Sequence, residues 1–257
     1  MSSRLQGILR LATAAALGAT LVGGVNAIGG ADAVGAQRTA GPEPANLGQD
    51  KLAVQDFYGD TEDAAGHHHA SPGSAWDQQT TAEVAAAQAH LAKRLAEGVR
   101  NPAIVLDIDD TSELTYGWEA DRDFGFDEAA QRDAIRHRAF EPIGPTRELA
   151  RWAAEHGVKV YFLTGRGESL GPDSLRNLAA EGFPQPAGAF FKPERSAPDY
   201  LPCGLDCSTI EYKSGTRAHL EDQGEHIVLN LGDQHSDLAG GHAEKPVKLP
   251  NPMYYLP

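Results

Sequence analysis

Four short apolar runs, at 103–106, 158–163, 189–191 and 227–231, constrain what this chain can fold into more than anything else in it. Runs of this length, rich in aliphatic residues, read as strands buried on both faces. Segments with helical patterning separate them, at about 145–156, 173–181 and 211–222, and the first two are closed by Gly157 and Gly182. Ahead of the first run, Thr80 and Glu83 stand at capping-box spacing. They precede an alanine-rich stretch that ends at Gly98, with Val84, Leu91, Leu95 and Val99 near one face. Strands alternating with helices predict an α/β fold, a doubly wound parallel sheet covered on both sides, over residues 77–257.

The 257 residues suit one sizeable domain with additions. A formal charge of −14 argues against a surface that follows nucleic-acid phosphates or anionic lipid, since both need a basic footprint. Two cysteines cannot staple a fold of this size, so the core must be hydrophobic.

The first residues read as a targeting segment. Arg4 and Arg10 precede an apolar stretch over 11–25, and small residues follow at cleavage-like spacing, best in Ala31-Asp32-Ala33, with Val25-Asn26-Ala27 as a competitor. That pattern predicts an export signal over 1–33, hence a secreted or envelope location. The apolar run is too short and too rich in Ala and Gly for a stable membrane span, and no membrane association is expected after its removal. Residues 34–76, punctuated by Gly and Pro, read as a low-order arm in which only 52–58 is apolar enough to dock, with His67, His68 and His69 solvated.

In open α/β sheets, ligands bind beyond the carboxyl ends of the strands. Those ends carry Asp107-Ile108-Asp109-Asp110-Thr111 after the first run, Thr164-Gly165-Arg166 after the second, and Gly232-Asp233-Gln234-His235-Ser236-Asp237 after the last. Lys213 sits near the start of the helical stretch that leads into that last strand. Each piece alone has a bland reading as a turn, a cap or a solvated charge. In order, at the right edge of the right elements, the four point to one crevice lined by carboxylates, a hydroxyl and a lysine.

Asp107-x-Asp109-x-Thr111, Thr164, Lys213 and Gly232-Asp233-x-x-x-Asp237 resemble the four motifs of the haloacid dehalogenase superfamily. The flanking residues, Phe162-Leu163-Thr164-Gly165-Arg166 and Tyr212-Lys213-Ser214-Gly215-Thr216-Arg217, are similar to its secreted acid phosphatase branch, which includes plant-type enzymes and storage proteins. The resemblance covers about 80–257. His235 stands where relatives often carry an aromatic residue.

The resemblance implies a Rossmann-like core with a small cap inserted after the first catalytic strand, and a Mg²⁺-dependent phosphomonoesterase. Asp107 is then the nucleophile that forms an aspartyl-phosphate, and Asp109 the general acid and base. Asp107, Asp233, a main-chain carbonyl at Asp109 and, through water, Asp237 hold the metal. Thr164, Gly165 and Lys213 bind phosphate. The chemistry has need of these residues. A carboxylate nucleophile splits one hard step into two, and a hard cation with a lysine cancels the repulsion between carboxylates and phosphate. Asp109 has to enter the first step protonated, and a reference aspartate titrates near ~3.9, so an acidic optimum is expected. Arg166 either reaches the substrate or closes a salt bridge that fixes its loop. Arg217 is expected to be structural, and His235 and His242 to be wall residues. Residues 112–142, with Tyr116, Trp118, Phe124, Phe126 and Phe140, would form the cap, the aromatics serving chiefly as its own core.

A small cap leaves the pocket open to small phosphate monoesters. Cys203 and Cys207 are expected to form a local disulfide rather than a zinc site, since no further thiolates exist to complete it. Two rival readings use the same fold: a non-catalytic phosphate-binding or storage protein, and a phosphotransferase to alcohols.

Overall fold

The computed structural model describes residues 43–257; the expected export signal lies outside the described residues. The chain opens with α1 (Leu47–Tyr58) and a small hairpin of β1 (Thr61–Glu62) with β2 (His68–His69), followed by α2 (Ala75–Ala96) and β3 (Pro102–Leu106). An insertion then carries β4 (Glu113–Leu114), α3 (Tyr116–Ala120), α4 (Glu128–His137) and β5 (Glu141–Pro142). The α/β alternation resumes with α5 (Gly144–Glu155), β6 (Lys159–Gly167), α6 (Gly171–Ala180), β7 (Gly188–Lys192), α7 (Thr209–Asp222) and β8 (His226–Gly232). Short α8 (His235–Leu238) and β9 (Lys245–Lys248) complete it.

Five strands form one all-parallel sheet in the order β7-β6-β3-β8-β9. The two-residue period of the strands sorts the core onto its faces. Ile104, Leu106, Val160 and Phe162 pack against Val84, Ala87 and Leu91 of α2, Leu149, Ala150 and Ala153 of α5, and Leu178 of α6. Ala103, Val105, Tyr161 and Leu163 face the other way, onto Tyr212 and Leu220 of α7. The doubly wound parallel sheet is as expected, with one strand more. β9, Lys-Pro-Val-Lys, escapes the sequence pattern because it is short, charged and carries a proline, properties that only an edge strand tolerates.

The low-order arm is corrected: the fold begins well before residue 77. Asn46 caps α1 by accepting from Gln49 N, and Gly59 closes it at φ 61°. Ser74, not Thr80, starts the next helix; its hydroxyl accepts from Asp77 N at 3.3 Å while Asp77 Oδ2 accepts from Gly73 N at 2.7 Å. Thr80 is buried inside that helix. Three of the glycines that read as linker punctuation, Gly59, Gly66 and Gly73, are turn residues at positive φ.

The three histidines sit on the hairpin and pair with carboxylates. His67 Nδ1 lies 2.8 Å from Asp121 Oδ2, His68 Nδ1 lies 2.8 Å from Asp60 Oδ2, and His69 is within reach of Asp63 and Glu141. A Cβ on Gly117 would run into the His68 carbonyl, so glycine is what lets the hairpin lie on α3.

Tyr58 is fully buried, stacked 4.1 Å from Tyr116 and 5.3 Å from Trp76. The insertion's aromatics therefore do not form one core of their own. Tyr116 and Phe124 belong to the cluster with Tyr58, Trp118 and Phe140 form a second cluster with Ile135 and Leu170, and Phe126 is exposed. Cys203 and Cys207 are disulfide-bonded.

If the N-terminal segment is part of the core, Tyr58→Ala lowers the unfolding free energy by about 3–5 kcal/mol, the range for a buried aromatic. Urea titration followed by circular dichroism measures it. An unchanged midpoint would mean that the segment is dispensable.

Candidate active site

The strand order reverses its direction of winding at β3, which has β6 and β7 on one side and β8 and β9 on the other. A crevice opens beyond the carboxyl ends at such a switch point. Asp107 directly follows β3, and its N–H donates to Leu231 O of β8 at 3.0 Å, continuing the ladder. The alternation that turns Ala103 and Val105 toward α7 carries on to Asp107. There it meets Lys213, whose Nζ lies 2.8 Å from Asp107 Oδ1 and donates to Asp237 Oδ1 at 2.5 Å. All three side chains are buried. Asp237 Oδ2 in turn accepts from Gln234 N at 2.8 Å, and a Cβ on Gly232 would collide with the Asp237 side chain. Only glycine lets that carboxylate lie back against the strand end.

Asp233 is oriented by three donors. Thr111 Oγ1 reaches its Oδ1 at 3.2 Å, while Gln234 Nε2 and Asn251 Nδ2 reach its Oδ2 at 2.7 and 2.8 Å. Asp110, at φ 50°, is held by Thr115 N, Thr115 Oγ1 and Tyr254 Oη. Burial, foremost, together with neighbouring carboxylates, pushes Asp233 up to about 7. Burial likewise raises Asp107, and Lys213 opposes the shift.

Asp109 meets Arg166 through both oxygens, Oδ2 from Nε at 3.0 Å and Oδ1 from Nη2 at 2.6 Å. The same guanidinium donates to Glu113 Oε2 at 2.6 Å and to Ser174 Oγ at 3.0 Å. Of the two roles open to Arg166, the geometry supplies the salt bridge. Thr164 is buried on β6, the strand beside β3, and its hydroxyl accepts from Arg166 N at 3.1 Å; Gly165 is exposed. Arg217 donates to the carbonyls of Asp237, Ala239 and Gly241, which fixes the loop after β8 and makes it structural. His242 pairs with Glu221 and His235 is exposed. Sequence reasoning missed Glu113, Ser174, Asn251 and Tyr254. None directly follows one of the four apolar runs, and only the folded chain carries them in.

Ligand oxygens of Asp107, Asp233 and Asp237 lie within 4.8 Å of one another, and no other such set of metal-ligating side chains occurs among the described residues. Lys213 pairs with Asp107 at 2.8 Å and with Asp237, and among the described residues no ion pair reaches Asp233, so three buried carboxylates share one ammonium. An all-carboxylate set with that surplus of negative charge fits a hard divalent cation.

The family model of the HAD superfamily, subfamily IIIB (acid phosphatase), matches residues 50–257. The chain belongs to this family. Within it, the chain is similar to acid phosphatase 1 of Solanum lycopersicum, 31% identical over 156 residues that cover 59% of this chain and 58% of that protein. It is also similar to vegetative storage protein 1 of Arabidopsis thaliana, 32% identical over 40% of this chain and 35% of that one. A stem 31 kDa glycoprotein of Glycine max is 38% identical over 39% of this chain and 37% of that one. The chain thus spans between a third and three-fifths of the length of these relatives. The class C acid phosphatase from Bacillus anthracis has the same fold, with a TM-score of 0.60 at 19% identity, covering 81% of this chain and 86% of that one. The subfamily IIIB core accounts for the expected Rossmann-like sheet, and the match reaches back to residue 50, into the segment that the sequence had left as an arm.

Two acids near the site titrate far from their usual range. Burial pushes Glu181 up to about 8, and Glu119 up to about 7 with Asp109 adding to it. A folded value above the unfolded one, near ~4.3, means that the folded chain holds these protons more tightly. The stability they contribute is therefore complete below pH ~4.3 and is lost as pH rises through 7 and 8. In EDTA, the melting temperature should fall between pH 5 and 8.5, and Glu181→Gln should flatten that fall. A parallel profile for the variant would show that Glu181 is not its source.

Proposed function

We propose that the chain is an exported, Mg²⁺-dependent acid phosphatase that hydrolyses small phosphate monoesters through an aspartyl-phosphate on Asp107. The observation that carries this reading is the convergence of Asp107, Asp233 and Asp237 with buried Lys213 at the switch point of the sheet. Family membership supports it, as does the name of the tomato relative. Export is supported by the basic start and apolar run at the N-terminus and by the Cys203–Cys207 bond, which suits an oxidising compartment.

In this mechanism Asp107 attacks phosphorus, and the bond from phosphorus to the leaving oxygen breaks as that oxygen takes a proton from Asp109. Water then attacks phosphorus and gives a proton to Asp109. The bond to Asp107 breaks and inorganic phosphate leaves. Asp109 has to exchange one of its two bonds to Arg166 for the reacting oxygen. Lys213 keeps Asp107 in place and offers positive charge to the phosphate, with Thr164 and the open main chain of Gly165 as further donors. Asp107, Asp233 and the Asp109 carbonyl, with Asp237 through water, would hold Mg²⁺, which would supply charge neutralisation and orientation of the phosphate.

The storage-protein reading has one observation in its favour, the names of the Arabidopsis and Glycine relatives, and against it the retention of Asp107, Asp109 and Asp233 together. Hydrolysis of p-nitrophenyl phosphate from pH 4 to 9, with Mg²⁺ or EDTA, separates the two. The expected result is metal-dependent turnover, faster on the acid side, that falls by at least about 10³-fold in Asp107→Asn. Folded, metal-loaded wild type that binds phosphate without turnover would establish the storage or binding role instead. Phosphorylated glycerol, on adding that alcohol, would reveal phosphotransfer.

A further inference from the structure

Beyond β9 the chain does not leave the molecule. Leu249 N donates to Gly232 O at 2.9 Å, and residues 251–257 then run back across the β3 and β8 ends. Asn251 makes the decisive contact. Its Nδ2 donates to Asp233 Oδ2 at 2.8 Å, while its Oδ1 accepts from Met253 N at 2.9 Å and so turns the tail on itself.

Four further bonds tie the tail to the loops after β3 and β8. Tyr254 Oη donates to Asp110 Oδ2 at 2.7 Å, Leu256 N to Gln234 Oε1 at 3.1 Å, Ser236 Oγ to Leu256 O at 3.0 Å, and Gln234 Nε2 to Tyr254 O at 3.4 Å. Gln234, anchored this way, is itself the other donor to Asp233 Oδ2.

The division of labour is plain from the partners. Lys213 serves Asp107 and Asp237. Among the described residues no cation pairs with Asp233, whose carboxylate is instead held by neutral donors from Thr111, Gln234 and Asn251. Neutral donors stabilise a buried carboxylate and fix its rotamer without cancelling its charge, so it keeps its attraction for a cation. Two donors crowd Oδ2 and one reaches Oδ1, which leaves Oδ1 with a lone pair free.

We propose that the C-terminal tail is a positioning element of the metal centre, in which the Asn251 amide holds Asp233 in its ligating orientation and thereby sets the cation affinity. The inference rests on the metal-dependent reading of the site given above. Asn251 touches neither substrate nor cation. It acts through Asp233.

Deleting 251–257 would also remove the packing of the tail, so the informative variant is Asn251→Ala, with Ser236→Ala as its partner. Ser236→Ala loosens the tail at Leu256 without touching Asp233. Binding of Mn²⁺ to the metal-free full chain, followed by the spin-resonance signal of the free ion, reads affinity without turnover. Circular dichroism checks that each variant is folded.

Asn251→Ala should bind Mn²⁺ about 10-fold more weakly, as loss of a partner to a ligating carboxylate does, with Ser236→Ala within about twofold of wild type. In hydrolysis, the Asn251→Ala defect should recover at raised Mg²⁺. Equal affinity of Asn251→Ala and wild type overturns the inference and leaves the phosphatase reading intact. Equal weakening in both variants also overturns it, since general loosening of the tail would then be the cause. Wild type that binds no cation and hydrolyses nothing overturns both.

Discussion

Asp107, Asp110, Asp233 and Asp237 are all buried at one edge of one sheet, and their mutual repulsion is the constraint that the surrounding structure answers. Burial pushes Asp107, Asp110 and Asp233 toward their neutral forms, and like charges nearby push them further. The answer is local and different for each. Lys213 bridges Asp107 and Asp237, Thr115 and Tyr254 hold Asp110, and Thr111, Gln234 and Asn251 hold Asp233. Burial lowers an ammonium, but the two carboxylates outweigh it and Lys213 is raised overall, so it stays charged. What remains is a centre short of positive charge, in which one ammonium serves Asp107 and Asp237 and none pairs with Asp233 among the described residues. A hard divalent cation bound there would meet that deficit.

The second charged group, Arg166 with Asp109 and Glu113, lies beside the first and gives the two aspartates different partners. Asp107 faces a lysine that it shares with Asp237. Asp109 faces a guanidinium fork that matches its two oxygens and fixes its plane. Glu113, fully buried, supplies a second counter-charge to that fork, while Ser174 from α6 takes its remaining arm. The insertion after β3 is thus tied to the site electrostatically at Glu113. It is also tied mechanically to the N-terminal segment, through Tyr116 stacked on Tyr58 and bonded by its hydroxyl to Asp60 at 2.7 Å.

The sequence made the sheet and most of the site legible because both follow from short-range rules. A buried parallel strand needs an unbroken apolar run, and polar residues at its carboxyl end have only the crevice to enter. Asp107, Thr164, Asp233 and Asp237 stand out that way, whereas Lys213, within α7, stands out by its match to the family motif. The pattern failed where a segment's partner was distant. Residues 47–76 looked like a linker because their glycines and prolines mark turns as readily as disorder, and nothing local showed that Tyr58 would meet Tyr116 and Trp76. β9 failed for the opposite reason, since a charged edge strand is recognisable only once its neighbour β8 is in place.

The sequence by itself therefore determined the order of strands and helices, the residues at the strand ends, and the kind of chemistry that they suit. The tertiary structure alone decided which charges neutralise which. Pairing depends on distances between residues far apart in the chain, and those distances exist only after the core has closed. Lys213 reaches Asp107 because Asp107 continues the face of β3 that packs on α7. Asn251 reaches Asp233 because β9 lies beside β8 and returns the tail to the same edge. No spacing within either motif encodes those meetings.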